Sequence, residues 1–475
     1  MFVIKFTKND LIMKKIIFLL LFTSGLAAQK AERIDSLMTQ LFKEKKFNGN
    51  VLIAENKKIL YQKSFGLANE ETKEALISNS IFELASVSKQ FTAMGIAILK
   101  EQGKLKYDDK MSKYIPELSF YKDITIRNLL HHTSGLPDYM QLLDSLLMNE
   151  TWRKNVKIAT NKDIIEIFAK HHPKVLFPVN EKWEYSNTGY ALLASIIEIV
   201  SGKSYSEFLK TNIFKPLKMN NTFSYTRRFA PQNIKNYAFG YVSDSLHEKI
   251  LPDDVKQNGL DLYVLSLDGI VGDGTINSTT NDLLIWDKAL YENKLLSETS
   301  MKEIFASGVL IDGKKTGYGF GWMINNDNIA GNTTSHSGSW PGYKTYIERQ
   351  IDHKNTIIIL MNNDNENAKN PSKAINKILF NIKDVKLSAQ EINAIIGDYK
   401  TEKGTIKKII SENNKLYLPM NESVKLELEP ITKTKFKLIG FSPDVFYEFI
   451  IKDGKVEKYI MNQPELNNTE TAIKQ

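Results

Sequence analysis

Cysteine is absent from this chain of 475 residues. Its absence excludes disulfide bonds, a thiol nucleophile, thiolate metal sites and a lipid-anchoring cysteine. Hydrophobic residues make up 42% of the chain and charged residues 25%, which is typical of an ordinary globular protein. A protein of this composition has to be stabilised by a buried apolar core rather than by covalent cross-links.

A massed charge of one sign is also missing. The formal net charge of +8 includes +3 from residues 1–28, which hold four lysines and one aspartate, and this leaves +5 for the remainder. The lysines of the remainder are interleaved with acidic residues and form no basic stripe. We therefore expect no nucleic-acid partner.

Two common kinds of catalytic site find no support in the sequence. The seven histidines include the adjacent pairs 131–132 and 171–172, but neighbouring side chains on a helix or strand point apart, so neither pair is a good chelate. We expect no metal site. The Gly-x-Ser-x-Gly elbow of the α/β-hydrolases does not occur either.

The N-terminal segment predicts export. From Met13 the chain reads MKKIIFLLLFTSGLAAQ, with two lysines, an apolar run and small residues after it. This is the pattern of a secretory signal peptide, and the apolar run is too short for a spanning helix. We assign residues 1–28 to a signal peptide cleaved near Ala27 or Ala28, with residues 1–12 as an upstream extension. The mature protein is expected in the periplasm or secreted, without a membrane span.

Strand patterns occur at both ends of residues 32–382, with helical patterns between them. Two apolar runs on either side of 55–58 predict a hairpin, and PSKAINKILFNI predicts a closing helix. Further strands are predicted over 317–324, 343–350 and 355–363. The simplest arrangement is an α+β fold in which both ends share one antiparallel sheet flanked by helices, with a helical lobe inserted.

After about residue 385 the pattern changes to strands alone. Residues 433–438 alternate strictly between lysine on one face and threonine, phenylalanine and leucine on the other. Asp453 and Gly454 stand between two apolar runs, which is a strong hairpin signal. We predict a small all-β, barrel-like domain over 388–465, followed by a flexible tail over 466–475.

The stretch LASVSKQF places Ser86 and Lys89 three positions apart at the start of a helical pattern. On a helix these side chains share one face, one turn apart, so the serine could be a nucleophile beside its base. A serine at a helix start is also explained as an N-cap. Because the same spacing occurs at Ser119 and Lys122, these residues alone do not decide between the two interpretations.

Two further polar groups stand directly before regular elements. Tyr-Ser-Asn at 185–187 precedes the helical pattern TGYALLASIIEIVSG, and His-Ser-Gly-Ser at 336–339 precedes the strand pattern YKTYIERQ. Each group is weak alone, since Tyr291 and Asn293 show the same Tyr-x-Asn spacing. The three groups in the order Ser-x-x-Lys, Tyr-x-Asn and His-x-Gly are much more specific.

With these motifs the chain resembles the superfamily of serine β-lactamases and penicillin-binding proteins, and within it the class C β-lactamase branch. The likeness covers about residues 32–382 and includes FELASVSKQFTA, LLHHTSGLPDY, GDGTINSTTNDLLIW and HSGSWPGY. No Ser-Asp-Asn motif occurs, unlike in the class A pattern. The resemblance implies a β-lactamase/transpeptidase-like fold, and the all-β segment resembles the lipocalin-like domain that follows many such hydrolases.

By this resemblance Ser86 is the nucleophile and Lys89 its partner one turn along. A serine hydroxyl attacks poorly until a base takes its proton. The resemblance implies that Tyr185 points its phenol at both residues, and either Tyr185 or Lys89 is the general base. Asn187 is expected to hydrogen-bond the substrate amide and Lys89.

The same resemblance places the third motif beside the nucleophile. It implies that the backbone N–H groups of Ser86 and Ser339 form an oxyanion hole. Ser337 and Gly338 are expected to contact the substrate.

The third motif departs from the Lys-Thr-Gly of many members. Here His336 takes the lysine position, so the group that would bind a substrate carboxylate becomes a titratable histidine. A literal Lys-Thr-Gly occurs at 315–317, which we interpret as a loop leading into a strand.

The sequence thus predicts an exported serine hydrolase that acts through an acyl-enzyme on a small amide or ester, as a peptidase or esterase. The alternatives are a true β-lactamase, a D-Ala-D-Ala carboxypeptidase, a D-amino-acid amidase, or a penicillin-recognising binding or sensor module with little turnover. No cofactor is implied, and the partner is a small-molecule or peptide substrate, with cell-wall fragments as candidates. The irregular segment 225–265 is expected to shape the entrance, and Trp183 and Trp340 either line the pocket or pack in the core.

Overall fold

The computed structural model describes nine segments of the chain. They are 8–142, 157–243, 249–327, 329–364, 368–383, 385–421, 424–440, 444–464 and 468–475. Contacts within the chain separate two compact units, Met1–Phe380 and Asn381–Gln475. Residues 1–7 of the predicted signal peptide and residue 384, between the two predicted domains, lie outside the described residues.

Helices make up most of the first unit between its N-terminal and C-terminal strands. They are α1 (Lys8–Lys43), α2 (Lys89–Glu101), α3 (Ile126–Leu130), α4 (Asn161–His171), α5 (Asn187–Ser201), α6 (Tyr205–Leu209), α7 (Lys215–Leu217), α8 (Leu260–Ser266), α9 (Thr280–Tyr291), α10 (Glu298–Ile304) and α11 (Asn370–Leu379). Among the described residues, none of the helices combines the length and the apolar character needed to cross a membrane.

The strands of the first unit lie mainly at its two ends. They are β1 (Gly49–Glu55), β2 (Lys58–Phe65), β3 (Phe82–Glu83), β4 (Phe223–Ser224), β5 (Val242–Ser243), β6 (Lys249–Ile250), β7 (Ile276–Ser278), β8 (Met323–Asp327), β9 (Gly331–Trp340), β10 (Tyr343–Gln350) and β11 (Asn355–Met361). Six of them form one sheet in the order β2-β1-β11-β10-β9-β8, and β3, β7 and β4 form a second, small one.

The two ends of the first unit meet in the large sheet, as the sequence predicts. Strand β1 pairs antiparallel with β11, with Gly49 opposite Met361 and Ala54 opposite Thr356. Strands β1 and β2 form the predicted hairpin, whose turn residues Asn56 and Lys57 have φ angles of 48° and 65°. These left-handed values suit the twist of a two-residue hairpin.

The inserted lobe packs around α2. Every residue of α2 from 89 to 99 is buried, so this helix forms the centre of the largest apolar core. A methyl group at Gly95 would come within 2.8 Å of Cδ1 of Ile197 on α5, so glycine permits the close approach of the two helices. Because α2 is fixed on all sides, its first turn is a rigid place for a functional group.

The strand predicted over 317–324 is wrong in its extent. The observed strand β8 covers Met323–Asp327. Gly317 and Gly321 have φ angles of 70° and 76°, in the left-handed region that a strand does not use. The preceding residues therefore form turns, and β8 begins only after them.

The second unit contains one short helix and a closed β-barrel. Helix α12 (Ala389–Ile395) precedes β12 (Gly397–Thr401), β13 (Ile406–Glu412), β14 (Lys415–Pro419), β15 (Lys425–Pro430), β16 (Lys435–Leu438), β17 (Val445–Lys452), β18 (Lys455–Gln463) and β19 (Asn468–Lys474). Each strand pairs with the next, and β19 returns to β12 and closes the barrel. The predicted hairpin at Asp453 and Gly454 joins β17 to β18, with φ angles of 50° and 75°. The relation of this barrel to lipocalin-like domains stays a prediction.

The flexible tail predicted over 466–475 is wrong for residues 468–474. These residues form β19, which pairs with β18 from Asn468 opposite Gln463 to Ile473 opposite Lys458. The alternation there is weak because polar residues fill NTETAIK, and Ala472 is its fully buried side chain. The strand is held by closure of the barrel, which a local pattern does not reveal.

Candidate active site

Ser86 stands on a constrained turn between the small sheet and α2. The chain passes from β3 into a 3₁₀ turn over Ala85–Ser88 and then into α2. Ala85 has a φ angle of 48°, a left-handed conformation that costs a non-glycine residue about 1–3 kcal/mol and recurs at functional sites. The hydroxyl of Ser88 accepts the N–H of Ile276 at 3.0 Å, which anchors the turn to β7.

The N-cap interpretation of Ser86 does not describe this geometry. The residue that caps α2 is Ser88, and its side chain makes no capping hydrogen bond. Oγ of Ser86 instead lies 3.1 Å from Nζ of Lys89. The hydroxyl is therefore paired with an amine rather than with the helix backbone.

Lys89 is fully buried and uses all of its hydrogen-bonding capacity. Besides Ser86, its Nζ contacts Oδ1 of Asn187 at 2.8 Å and the backbone oxygen of Asp273 at 2.9 Å. A buried amine requires such partners, because an unpaired one would be costly away from water. The predicted contact of Asn187 with Lys89 is present.

Asp138 fixes the orientation of Asn187. Its Oδ2 accepts the backbone N–H of Asn187 at 2.8 Å and the side-chain Nδ2 at 2.9 Å. A carboxylate only accepts hydrogen bonds, so the amide must present its nitrogen to Asp138 and its oxygen to Lys89. The role of Asp138 was not predicted, although it belongs to the quoted stretch LLHHTSGLPDY.

A second unpredicted carboxyl group lies beside Lys89. Asp273 is buried, and its Oδ2 accepts a hydrogen bond from the hydroxyl of Tyr139 at 2.7 Å. Burial raises the pKa of Asp273 above its ordinary value, and the charge of Lys89 acts in the opposite direction. In the sequence, Asp273 lies in the run GDGT, but this run is equally well explained as a turn.

Tyr185 lies beside Lys89 but does not hydrogen-bond to it. The ring centroid is 4.9 Å from Nζ of Lys89, a cation–π distance. The hydroxyl of Tyr185 is buried and has no hydrogen-bond partner among the described residues. The expected pointing of the phenol at Ser86 and Lys89 is therefore not observed as hydrogen bonds, because the face of the ring is turned to the amine.

His336 is a buried neutral group, not a cation. Its Nδ1 lies 2.7 Å from the backbone oxygen of Ser337, so Nδ1 carries the proton, and Nε2 accepts from the hydroxyl of Tyr318 at 2.9 Å. Burial and the nearby charge of Lys89 lower the pKa of His336 to about 3. An uncharged ring turned to Tyr318 disfavours the expected carboxylate-binding role for this histidine at neutral pH.

The third motif nevertheless lies beside the nucleophile. A methyl group at Gly338 would come within 2.2 Å of the backbone oxygen of Leu84, so glycine is required for β9 to approach this segment. Strand β8 pairs with β9 only over residues 331–335, so that pairing ends before the motif. The literal Lys-Thr-Gly at 315–317 instead lies in a turn that pairs with residues 308 and 309.

A positively charged side chain does lie beside Ser339, near the C-terminal end of β9. Nζ of Lys344 on β10 donates to Oγ of Ser339 at 2.7 Å. The two residues are direct cross-strand neighbours. Lys344 was not predicted, because a single lysine in a strand pattern gives no signal.

Four of the predicted residues line one cavity of about 140 Å³. They are Ser86, Tyr185, Asn187 and Ser339. Trp340 also lines the cavity, whereas Trp183 packs edge-on to His132. A larger cavity of about 960 Å³ elsewhere in the first unit contains none of the predicted catalytic or substrate-binding residues, although residues of the segment 225–265 line part of it. The described part of the segment 225–265 contributes no lining residue to the Ser86 cavity, where lining residues come instead from 267–275.

The described residues include no set of side chains arranged as metal ligands. No group of three or more histidine, aspartate or glutamate side chains that could hold a metal ion occurs within the described segments. The described arrangement is a serine, a buried amine and a phenol around a small cavity. This is the set of groups that an acyl-transfer site requires.

Comparison with known proteins agrees with this geometry. The family model described as Beta-lactamase matches residues 34–381. The chain is 41% identical to penicillin-binding protein 4* of Bacillus subtilis strain 168, over 91% of this chain and 96% of that protein. Among solved structures, the octameric penicillin-binding protein homologue from Pyrococcus abyssi superposes with a TM-score of 0.64, at 24% identity, over 93% of this chain and 99% of that one. A D-amino acid amidase from Ochrobactrum anthropi superposes with a TM-score of 0.58, at 21% identity, over 75% of this chain and 99% of that one.

The two structural neighbours show the fold alone, because their identities are low. The family model and the Bacillus relative span the residues that form the large sheet, the helical lobe and the Ser86 cavity. The chain therefore belongs to the beta-lactamase family of serine hydrolases.

Proposed function

We propose that this protein is an exported serine hydrolase in which Ser86 forms an acyl-enzyme with a small amide or ester. The observation that carries the proposal is the 3.1 Å contact between Oγ of Ser86 and Nζ of the buried Lys89. Family membership supports the reaction class. The name of the Bacillus relative supports covalent reaction with a penicillin.

Lys89 is the proposed base. The reactive form is the neutral amine, which has lost one proton of the ammonium: its two N–H groups bond the oxygens of Asn187 and Asp273, so its lone pair is directed at the remaining partner, the hydroxyl of Ser86. After proton transfer the ammonium keeps the same two acceptors. Tyr185 makes no hydrogen bond to Ser86, which favours Lys89 over Tyr185 in this role.

In acylation, Oγ of Ser86 bonds to the substrate carbonyl carbon while its proton passes to Lys89. The amine or alcohol then leaves with a proton, for which the unpaired hydroxyl of Tyr185 is a suitable donor. The backbone N–H groups of Ser86 and Ser339 stabilise the oxyanion, and preorganised donors of this kind contribute about 3–4 kcal/mol. Water hydrolyses the Ser86 ester by the same proton transfers in reverse.

The substrate is proposed to be an amide or ester that does not depend on a cationic third motif. Because His336 is neutral and faces Tyr318, this residue does not supply the positive charge that would bind the carboxylate of a β-lactam. This favours a peptidase or esterase over a true β-lactamase. The D-amino acid amidase with a related fold illustrates such a substrate.

One observation favours a second candidate, a D-Ala-D-Ala carboxypeptidase. Lys344 holds a cation next to Ser339 at the border of the cavity, where it could bind a C-terminal carboxylate. Hydrolysis of a D-Ala-D-Ala peptide should then exceed that of its C-terminal amide. Lys344→Met should remove that preference.

Turnover of a substrate panel tests the proposed reaction. The panel contains a D-Ala-D-Ala peptide, D-amino-acid amides, short-chain esters and a chromogenic cephalosporin. Hydrolysis of an amide or ester faster than the cephalosporin supports the proposal. A fluorescent penicillin that labels the protein and never leaves, with no turnover of any substrate, would instead identify a binding or sensor module.

Export rests on the sequence of residues 13–28 alone. The N-terminal residue of the protein recovered from the periplasm or medium tests it. An N-terminus near Gln29 supports cleavage after Ala27 or Ala28, and full-length protein found only in the cytoplasm contradicts export.

A further inference from the structure

Glu83 is a carboxyl group on the wall of the reaction cavity without a bonding partner. It lies in β3, three residues before Ser86, is half-buried, and lines the same cavity as Ser86 and Asn187. No hydrogen bond and no ion pair within 4 Å reaches it from the described residues. A half-buried carboxylate in this position is expected to have a cationic partner.

The two arginines nearby do not serve as that partner. Arg228 bonds Asp253 through Nε at 2.6 Å and Asp268 through Nη1 at 3.0 Å. Arg227 is also paired with Asp253. The two arginines and the two aspartates therefore neutralise each other. Glu83 is the carboxyl group of this cluster that has no ion pair.

The other two carboxyl groups that line the cavity are already satisfied. Asp268 accepts the backbone N–H groups of Arg228 and Phe229 at 2.6 and 2.9 Å, in addition to its ion pair. Asp273 accepts the hydroxyl of Tyr139 and lies beside the charge of Lys89. Among the three, Glu83 is the carboxyl group that accepts no hydrogen bond from the described residues.

The surroundings of Glu83 disfavour its charged form in the empty site. Burial, together with the negative charge of Asp268, raises the pKa of Glu83 to about 7, although the charges of Arg228 and Arg227 act in the opposite direction. A cation placed in the cavity would offset both effects. The carboxyl group is thus poised to be ionised by a positively charged ligand.

We infer that Glu83 binds a cationic group of the substrate, so that the site takes amides or esters that carry a free ammonium group. Amino-acid amides and peptides with an unblocked amino terminus are substrates of this class. The inference rests on the proposed acyl transfer at Ser86. It adds a specificity-determining residue that contacts the substrate away from the bond that is cleaved.

A matched pair of substrates tests this inference. Amino-acid p-nitroanilides of D and L configuration are compared with their N-acetyl derivatives, which differ by the loss of the positive charge. The wild-type enzyme should prefer the free amine. Glu83→Gln should lower kcat/KM for the free-amine substrate at least tenfold, about 1.4 kcal/mol, and change the acetylated one by less than threefold.

Two further variants separate recognition from structure. Glu83→Asp keeps the charge on a shorter side chain and should retain part of the preference for the free amine. Glu117→Gln, at an exposed glutamate, should leave both substrates unchanged. Equal losses on both substrates in Glu83→Gln, or no preference for the free amine in the wild type, would overturn the inference.

Failure of this inference is distinguishable from failure of the proposed function. Labelling by a fluorophosphonate requires the nucleophile but no ammonium group on the ligand. Retained labelling without any amine preference would overturn only the role of Glu83. Absence of labelling would overturn the acyl-enzyme as well.

Discussion

The carboxylate of Asp138 holds Asn187 by two hydrogen bonds, one from the backbone N–H at 2.8 Å and one from the side-chain Nδ2 at 2.9 Å. The amide oxygen of Asn187 is thereby aimed at Nζ of Lys89. Asp138 itself makes no hydrogen bond to Lys89 or Ser86 among the described residues. It is a positioning residue that acts through Asn187.

Asp138→Ala is therefore expected to resemble Asn187→Ala. Both should lower kcat at least tenfold on a small ester, because a freely rotating amide no longer orients Lys89, and the double variant should lose little more than either single one. Asp312→Ala, in a turn outside the cavity, is the control. Fully additive losses in the double variant would show that Asp138 acts independently of Asn187.

His336 is expected to matter through its neutral hydrogen bond with Tyr318. His336→Ala should reduce kcat/KM at least tenfold, about 1.4 kcal/mol, because it removes the support behind the third motif, whereas Lys315→Ala should stay near the wild-type value. The low pKa of His336, about 3, means that the ring stays neutral above pH 5. Its titration should leave no step in the pH–rate profile between pH 5 and 8.

Two results would contradict this prediction for His336. If Lys315→Ala lowered kcat/KM at least tenfold while His336→Ala kept the wild-type value, the third motif would have to be assigned to residues 315–317. A loss of activity with rising pH that disappears in His336→Gln would show that the histidine is charged in the working enzyme.

Glu83 is expected to destabilise the fold at alkaline pH. Its folded-state pKa is raised from 4.5 to about 7, so the folded protein binds the proton more tightly than the unfolded chain. The stability that this group contributes is present below pH 4.5 and is lost as the pH rises through about 7. Glu83→Gln should therefore raise Tm at pH 8 more than at pH 5.

Thermal unfolding at the two pH values measures this effect, with Glu117→Gln as the exposed control. Residues retained for function commonly reduce stability in this way. A Tm difference between variant and wild type that is the same at pH 5 and pH 8 would contradict the raised pKa of Glu83.

The two units have separate cores, which predicts that the first folds without the second. The barrel core is formed by residues between Ile392 and Ala472, and the cores of the first unit by residues between Ile34 and Leu379. A chain that ends at Lys383 should stay soluble and retain activity on a small ester. Circular dichroism and esterase assays measure both, and a folded but inactive truncated protein would show that the barrel contributes to catalysis.

Local sequence patterns predicted the elements whose structure is decided locally. The hairpins at 56–57 and 453–454 follow from turn residues that tolerate left-handed φ angles. The meeting of both ends in one antiparallel sheet was predicted because strand patterns frame a helical segment. Strand β19 was missed because closure of a barrel, rather than an apolar alternation, holds it in place.

The candidate site was predictable only as far as motifs mark it. Ser86, Lys89 and Asn187 stand at element starts with recognisable spacing, and they meet in one cluster. The orientation of a side chain depends on partners far along the chain, so the turning of His336 to Tyr318 was not predictable. The role inferred for Glu83 was not predictable either, because the lack of a partner for its carboxyl group depends on how residues distant in the sequence pair with each other.

Covalent labelling tests whether Ser86 forms the acyl-enzyme. The wild-type protein should be labelled by a fluorophosphonate or a penicillin, with the added mass located on the peptide that contains Ser86. Ser86→Ala should abolish the label. Ser119→Ala should retain it, because that exposed serine has the same spacing to a lysine but lies outside the cavity. Undiminished labelling of Ser86→Ala would contradict the account.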